Sequence, residues 1–274
     1  MNVLDLFSGI GGFSLGLERA GMRTVAFCEI EPYARAVLAK HWPGVPCYTD
    51  VRELTAKRLA ADGISVDVIC GGFPCTDISS AGDKAGIDGE QSGLWREYAR
   101  LIGELRPRFV IVENVADLLS RGLGVVLGDL ATIGYDAEWH CIAAAHVGAP
   151  HIRDRIWIVA YPDADSRRQQ EHTQFYGPSA QDSADRSARR EYAGGLRDAV
   201  ANATLERSVL DWRQQFPARS HEARRVHQWT TEPDVGRVAD GVPSRTHRLR
   251  CLGNAVVPEI PYRIGCAIMS TALS

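Results

Sequence analysis

VLDLFSGIGGFS (residues 3–14) is a compact apolar run that breaks into glycines and then resumes with a helical pattern. A strand, a tight turn and a helix in that order form the opening unit of a βαβ layer, where a buried parallel strand hands the chain to a covering helix. The helix is expected to end near Ala20, with Gly21 as its C-terminal stop. Further along, TVAFC (24–28) leads into a helix from about Glu31 to Lys40. VDVIC (66–70), RFVIVE (108–113) and DRIWIVA (154–160) are apolar runs of the buried parallel-strand kind, separated by amphipathic stretches such as LWREYARLIGEL (94–105). This alternation implies an α/β fold built on a doubly wound, mostly parallel sheet, with ligands at the C-terminal ends of the strands.

The texture changes after Tyr161. Residues 162–235 are polar and poor in apolar periodicity, with isolated Trp212 and Trp229, and read as a small loop-rich lobe. A regular pattern returns in LRCLGNAVVPEIPYRIGCAIMSTAL (249–273), expected to be a helix that packs back on the first domain. The division is therefore 1–161 plus 236–274 for one domain and 162–235 for the lobe. The 274 residues are 45% hydrophobic, enough for one large domain with a small appendage. No apolar run is long enough to span a bilayer, and the first residues, with Asp5 and no basic cluster, do not read as a signal peptide.

The formal net charge of −3 gives no general nucleic-acid signal. The basic residues are nonetheless unevenly placed. Lys40, Lys57 and Lys84 are the lysines, and from about 165 to 250 arginine is dense, as in SRRQQ, DRSARR and EARR. Arginine suits bidentate contacts to phosphates and guanine edges, but acids interleaved with it also fit a solvated, ion-paired surface. Seven cysteines, scattered and odd in number, form no CxxC pair or zinc-spaced Cys/His cluster, so no metal is expected and a reducing, cytoplasmic setting is read.

DLFSGIGG (5–12) lets the backbone turn tightly and approach a ligand, with free N–H groups offered by the following helix. Glu29 follows the second strand, about 24 residues after Asp5, where an acid suits ribose hydroxyls. Asp50, after a third short strand, could accept from an adenine amino group. The spacing is GxGG rather than GxGxxG, which favours S-adenosylmethionine over a dinucleotide.

A second group lies elsewhere in the chain. Cys75 follows Pro74 where an apolar run opens into a Gly- and Ser-rich stretch, an unusual place for a packing cysteine. ENV (113–115) puts Glu113 and Asn114 at a C-terminal strand end, and in HIRDRIW (151–157) Arg153 and Arg155 are two apart, which on a strand gives them one face. Each feature alone could be a structural ion pair. Together they resemble a thiol nucleophile, an acid, and cations that stabilise a thiolate or oxyanion.

DLFSGIGGFS, GGFPC, ENV, HIRDRIW and LGNAVVP stand in the order found in DNA (cytosine-5)-methyltransferases of the bacterial and phage type, and over residues 1–160 and 236–265 the chain resembles that family. The resemblance implies a Rossmann-like, S-adenosylmethionine-dependent methyltransferase and supplies roles. Cys75 would attack C6 of a flipped-out cytosine in duplex DNA, Glu113 would contact N3 and the exocyclic amine, Arg155 would hold O2, and Arg153 would support the cysteine loop. The cofactor pocket would comprise Phe7, Gly9, Ile10, Gly11, Gly12, Glu29, Ile30, Asp50, Leu94, Asn254 and Ala255. Residues 79–93, with Lys84, would form a loop closing over DNA, and 162–235 would read the target sequence in the major groove. His151 stands where the family usually has Gln, and Ile30 where an aromatic is often found. The resemblance also suggests a cognate restriction endonuclease, and a monomer needs no further assumption. A transfer-RNA cytosine methyltransferase, a nucleotide-dependent dehydrogenase and a non-catalytic DNA-binding protein are the competing readings.

Overall fold

The computed structural model describes residues 1–74, 93–163, Phe216 and 245–272. Cys75, the 79–92 segment and nearly all of the 162–235 lobe lie outside the described residues. Seven strands form one sheet in the order β3-β2-β1-β4-β5-β7-β6. They are β1 (Asn2–Leu6), β2 (Arg23–Cys28), β3 (Cys47–Tyr48), β4 (Val68–Gly71), β5 (Phe109–Val115), β6 (Tyr135–Ala143) and β7 (Asp154–Pro162). The first five run parallel. The helices are α1 (Gly12–Arg19), α2 (Pro32–His41), α3 (Ala56–Ala61), α4 (Leu94–Leu105), α5 (Leu118–Arg121), α6 (Leu123–Ile133), α7 (Arg245–Asn254) and α8 (Glu259–Ala272). Among the described residues, no helix is long and apolar enough to cross a membrane.

Strand alternation sends one set of side chains to each face. Leu4, Leu6, Ile69, Val110 and Val112 join Tyr98 and Leu101 of α4 and Leu127 and Leu130 of α6 in one apolar layer. Val3, Val68, Ile111 and Trp157 join Leu17 of α1 and Ile260, Ile264 and Ile268 of α8 in the other. Burying each such Leu or Ile contributes about 1.5–3 kcal/mol, so a sheet covered on both faces holds its central strands firmly. The doubly wound reading is therefore observed.

Three details differ from the expectation. DRIWIVA is buried, but β7 pairs antiparallel with both β5 and β6. Apolar content reports burial on two faces and carries no information about strand direction. β6 was not anticipated, although Ala137, Trp139 and Cys141 alternate toward the core. The stretch 249–273 is not one helix: α7 ends at Asn254, and Pro258 precedes α8, as the restriction proline places on its neighbour requires.

Asp5 shows what this architecture demands of a polar group. It lies on the α1/α8 face of β1, fully buried. Ser14 in the first turn of α1 donates to it from its hydroxyl, 2.7 Å from Oδ2, and from its backbone N–H. Gly11, at the start of α1, has no side chain to cap the helix, so a strand carboxyl caps it from below. Its Oδ1 is buried with no hydrogen-bond partner. Burial outweighs the Ser14 donors and pushes the carboxyl up to about 8.

An acid whose folded pKa is raised takes up a proton on folding. The stability it contributes is complete below its unfolded pKa and is lost as pH rises toward 8, at no more than about 1.4 kcal/mol per pH unit. Asp5→Asn keeps a neutral side chain of the same shape and removes this dependence. Denaturant melts at pH 5, 6.5 and 8 should show the advantage of Asp5→Asn over wild type growing with pH, and a constant difference would place the titration elsewhere.

Candidate active site

β1 has β2 on one side and β4 on the other, so the chain reverses direction across the sheet at that point. The loops after β1 and β4 diverge there and leave a crevice at the C-terminal edge, the usual ligand position in such sheets. Phe7, Gly9 and Gly11 have φ of 52°, 53° and 85°, the left-handed backbone that turns the chain sharply from β1 into α1. The Ser8 hydroxyl donates to the Asp5 carbonyl at 2.6 Å and closes the turn.

This turn meets Glu29 directly. The backbone N–H of Gly9 donates to Glu29 Oε2 at 2.7 Å, and that of Glu31 donates to Oε1 at 2.8 Å. Two main-chain donors from two loops therefore hold the carboxylate, and each of its oxygens keeps a second lone pair. That spare capacity, at the crevice, fits a vicinal diol such as the ribose of S-adenosylmethionine. Gly12 adds a reason of its own: a Cβ there would lie 2.6 Å from the Val256 carbonyl, so its absence lets the segment after α7 lie against the first turn of α1. Asn254 and Ala255 immediately precede that contact.

The other expected cofactor residues are placed as follows. Ile30 is 66% exposed beside Glu29. Asp50 lies two residues beyond β3, and Arg52 donates to it from its backbone and its guanidinium, holding the carboxyl below the usual range. The Phe7 ring turns inward and stacks on Tyr98, with centroids 6.3 Å apart, so its backbone shapes the turn while its side chain packs. Leu94 opens α4 and packs against the same layer. Ile10 stands in the turn, between Gly9 and Gly11.

On the β4/β5 side, Glu113 and Asn114 are buried at the end of β5. Asn114 Nδ2 donates to the Phe73 carbonyl at 3.1 Å and pins the Gly72–Pro74 segment that leads to Cys75. A Cβ on Gly72 would lie 2.7 Å from Glu113 Oε2, so a side chain there would force the carboxylate to shift. Arg155 Nε stands 3.0 Å from Glu113 Oε1. Burial raises the Glu113 carboxyl above its ordinary value, opposed by the charges of Arg155 and Arg153.

The two arginines are not successive outward residues of one strand, as the spacing suggested. β7 begins at Asp154, and Arg153 has φ 35°, outside the extended region. The turn still keeps both charges beside Glu113 and sends Arg153 Nη1 to the Gly253 carbonyl at the end of α7. Burial, and then the neighbouring Arg155 charge, pushes the Arg153 guanidinium down. Such an arrangement can hold a proton on a carboxyl while offering guanidinium donors to a polar ring. Asn114 as a loop anchor, and Glu31 with Arg250, were not read from sequence; their partners are distant along the chain.

Comparison with known proteins places the chain in a family. The family model described as C-5 cytosine-specific DNA methylase matches residues 1–230. The Type II methyltransferase M2.BsuMI of Bacillus subtilis is 39% identical over 168 residues, 58% of this chain and 42% of the relative. M.CviJI of Paramecium bursaria Chlorella virus IL3A is 36% identical over 160 residues, 57% of this chain and 42% of the relative. A crystal structure of a DNA modification methyltransferase encoded in an E. coli prophage superposes with a TM-score of 0.52 at 28% identity, covering 66% of this chain and 51% of that one. Spodoptera frugiperda DNMT2 shares the fold, with a TM-score of 0.50 at 19% identity over 60% of this chain and 50% of that one. The chain spans about half the length of the relatives it matches. From the Gly turn of β1 to the carboxylate of β5, the chain belongs to the C-5 cytosine-specific DNA methylase family.

Proposed function

We propose that this chain transfers a methyl group to C5 of cytosine within a specific duplex DNA sequence, using S-adenosylmethionine. The observation that carries the reading is the pairing of buried Glu113 with half-buried Arg155 beside a loop that Asn114 anchors two residues before Cys75. Cytosine C5 is a poor nucleophile until something adds at C6. Cys75 as thiolate forms the S–C6 bond, and the electrons of the 5,6 double bond pass to C5. Glu113, its carboxyl raised by burial, donates toward N3 and accepts from the exocyclic amine, which draws electron density into the ring. Arg155 donates to O2, and Arg153, tied to α7, steadies the edge beside it. Glu29 and the turn through Gly12, with Asp50, Ile30 and Asn254–Ala255 around them, would hold S-adenosylmethionine, which would supply the methyl group to C5 and leave as S-adenosylhomocysteine. Loss of the C5 proton to a base then restores the double bond and expels Cys75.

The base must leave the duplex to reach a crevice of this kind, and we assign its recognition to the Arg-rich residues 162–235. The family match extends to residue 230 and so includes most of that region. The Type II names of the relatives support a role beside a restriction endonuclease; we place the chain in the cytoplasm, acting as a monomer.

Expression in a bacterial host without cytosine-5 methylation tests the reaction and the nucleophile together. Bisulfite sequencing should find 5-methylcytosine at one short motif with wild type and none with Cys75→Ala. Methylation of transfer RNA alone would overturn the DNA reading. For Glu113, Arg155→Met removes the cation that lowers its pKa. Single-turnover rates should fall by about 10²-fold or more, and the alkaline limb of the pH profile should move upward. A limb that stays in place would show that another group titrates. Glu29→Ala should weaken S-adenosylmethionine binding about tenfold or more in calorimetry, and unchanged affinity would remove Glu29 from the pocket.

A further inference from the structure

Glu31 has no part in the chemistry above, yet it makes more connections across the crevice than its place in the chain suggests. Its backbone N–H donates to Glu29 Oε1 at 2.8 Å, at the acid assigned to the cofactor. Its carboxylate faces the other way, into α7. Arg250 Nη2 pairs with Oε2, and His247 Nδ1 lies 3.6 Å from Oε1. The His247 ring also stacks on Tyr33, with centroids 6.0 Å apart and planes 24° from parallel. At the far end of the same helix, the Gly253 carbonyl accepts from Arg153, and Val256 then lies against Gly12. Helix α7 is thus tied at residues 247 and 250 to the loop that positions Glu29, and at residue 253 to the arginine beside Glu113.

We propose that Glu31 is a positioning residue: its backbone orients Glu29 while its side chain, through Arg250 and His247, clamps α7 so that Asn254 and Ala255 complete the cofactor pocket. The inference rests on the reading of that pocket given above. An exposed ion pair contributes little to folding. The Glu31 contacts should therefore register in ligand affinity more than in stability, because they fix a helix that supplies one wall of the site.

The test uses the 274-residue chain and S-adenosylhomocysteine as the probe, by calorimetry. Glu31→Arg and Arg250→Glu should each weaken binding about tenfold. Combined in one chain, the exchanged charges should bring affinity back to within about threefold of wild type. In steady state, the single variants should raise KM for S-adenosylmethionine with kcat held within about twofold. Arg250→Ala and His247→Ala, truncations of side chains at least half exposed, give the same readout should either charge reversal fail to fold. Binding by all variants as tight as wild type, or an exchange no better than the worse single variant, would overturn the clamp. A folded wild-type chain that fails to bind the probe would overturn the pocket itself, which separates the two failures.

Discussion

β1 is hydrogen-bonded to β2 on one side and to β4 on the other, and the catalytic edge depends on that double pairing. Leu6 is in register with Cys28 and with Gly71, so the three strands end together. The loops that leave them part at the crevice, one carrying the Gly turn and the other running through Phe73 and Pro74. A slip in either register would send Asp5 to the opposite face and carry the turn away from Glu29. Close approach is part of the same constraint, because Gly12 and Gly72 stand where a Cβ would strike a carbonyl and a carboxylate.

Three acids at this edge solve the problem of burial in three ways. Glu29 is met by two backbone N–H groups. Glu113 is met by guanidinium groups, yet burial still outweighs them and its carboxyl is raised. Asp5 has Ser14 and Cys70 as donors and one oxygen without a hydrogen-bond partner, and burial pushes its carboxyl up to about 8.

The two halves of the site are joined by an element distant in sequence. Helix α7 contacts the β2 side through Glu31 and the β5–β7 side through Arg153, and the segment after it closes on α1. The Glu29 half and the Glu113 half are therefore parts of one connected edge.

Much of this was legible in the sequence, because the signals are local. Apolar runs of strand length, glycines after the first of them, and acids at strand ends depend on the periodicity of one segment and the preferences of one turn. The doubly wound sheet, the crevice and the positions of Glu29 and Glu113 follow from them. The direction of β7 was not legible, since a strand buried on both faces is apolar whichever way it runs. Nor was the left-handed backbone of Arg153, which the Gly253 carbonyl and the Glu113 carboxylate hold in place from other elements. Sequence alone singled out the residues proposed to carry the chemistry, through their types and order. Tertiary structure decided which of them meet, because bonds such as Glu31 to Arg250 and Asn114 to Phe73 join positions that only the packed sheet and its returning helix bring within reach.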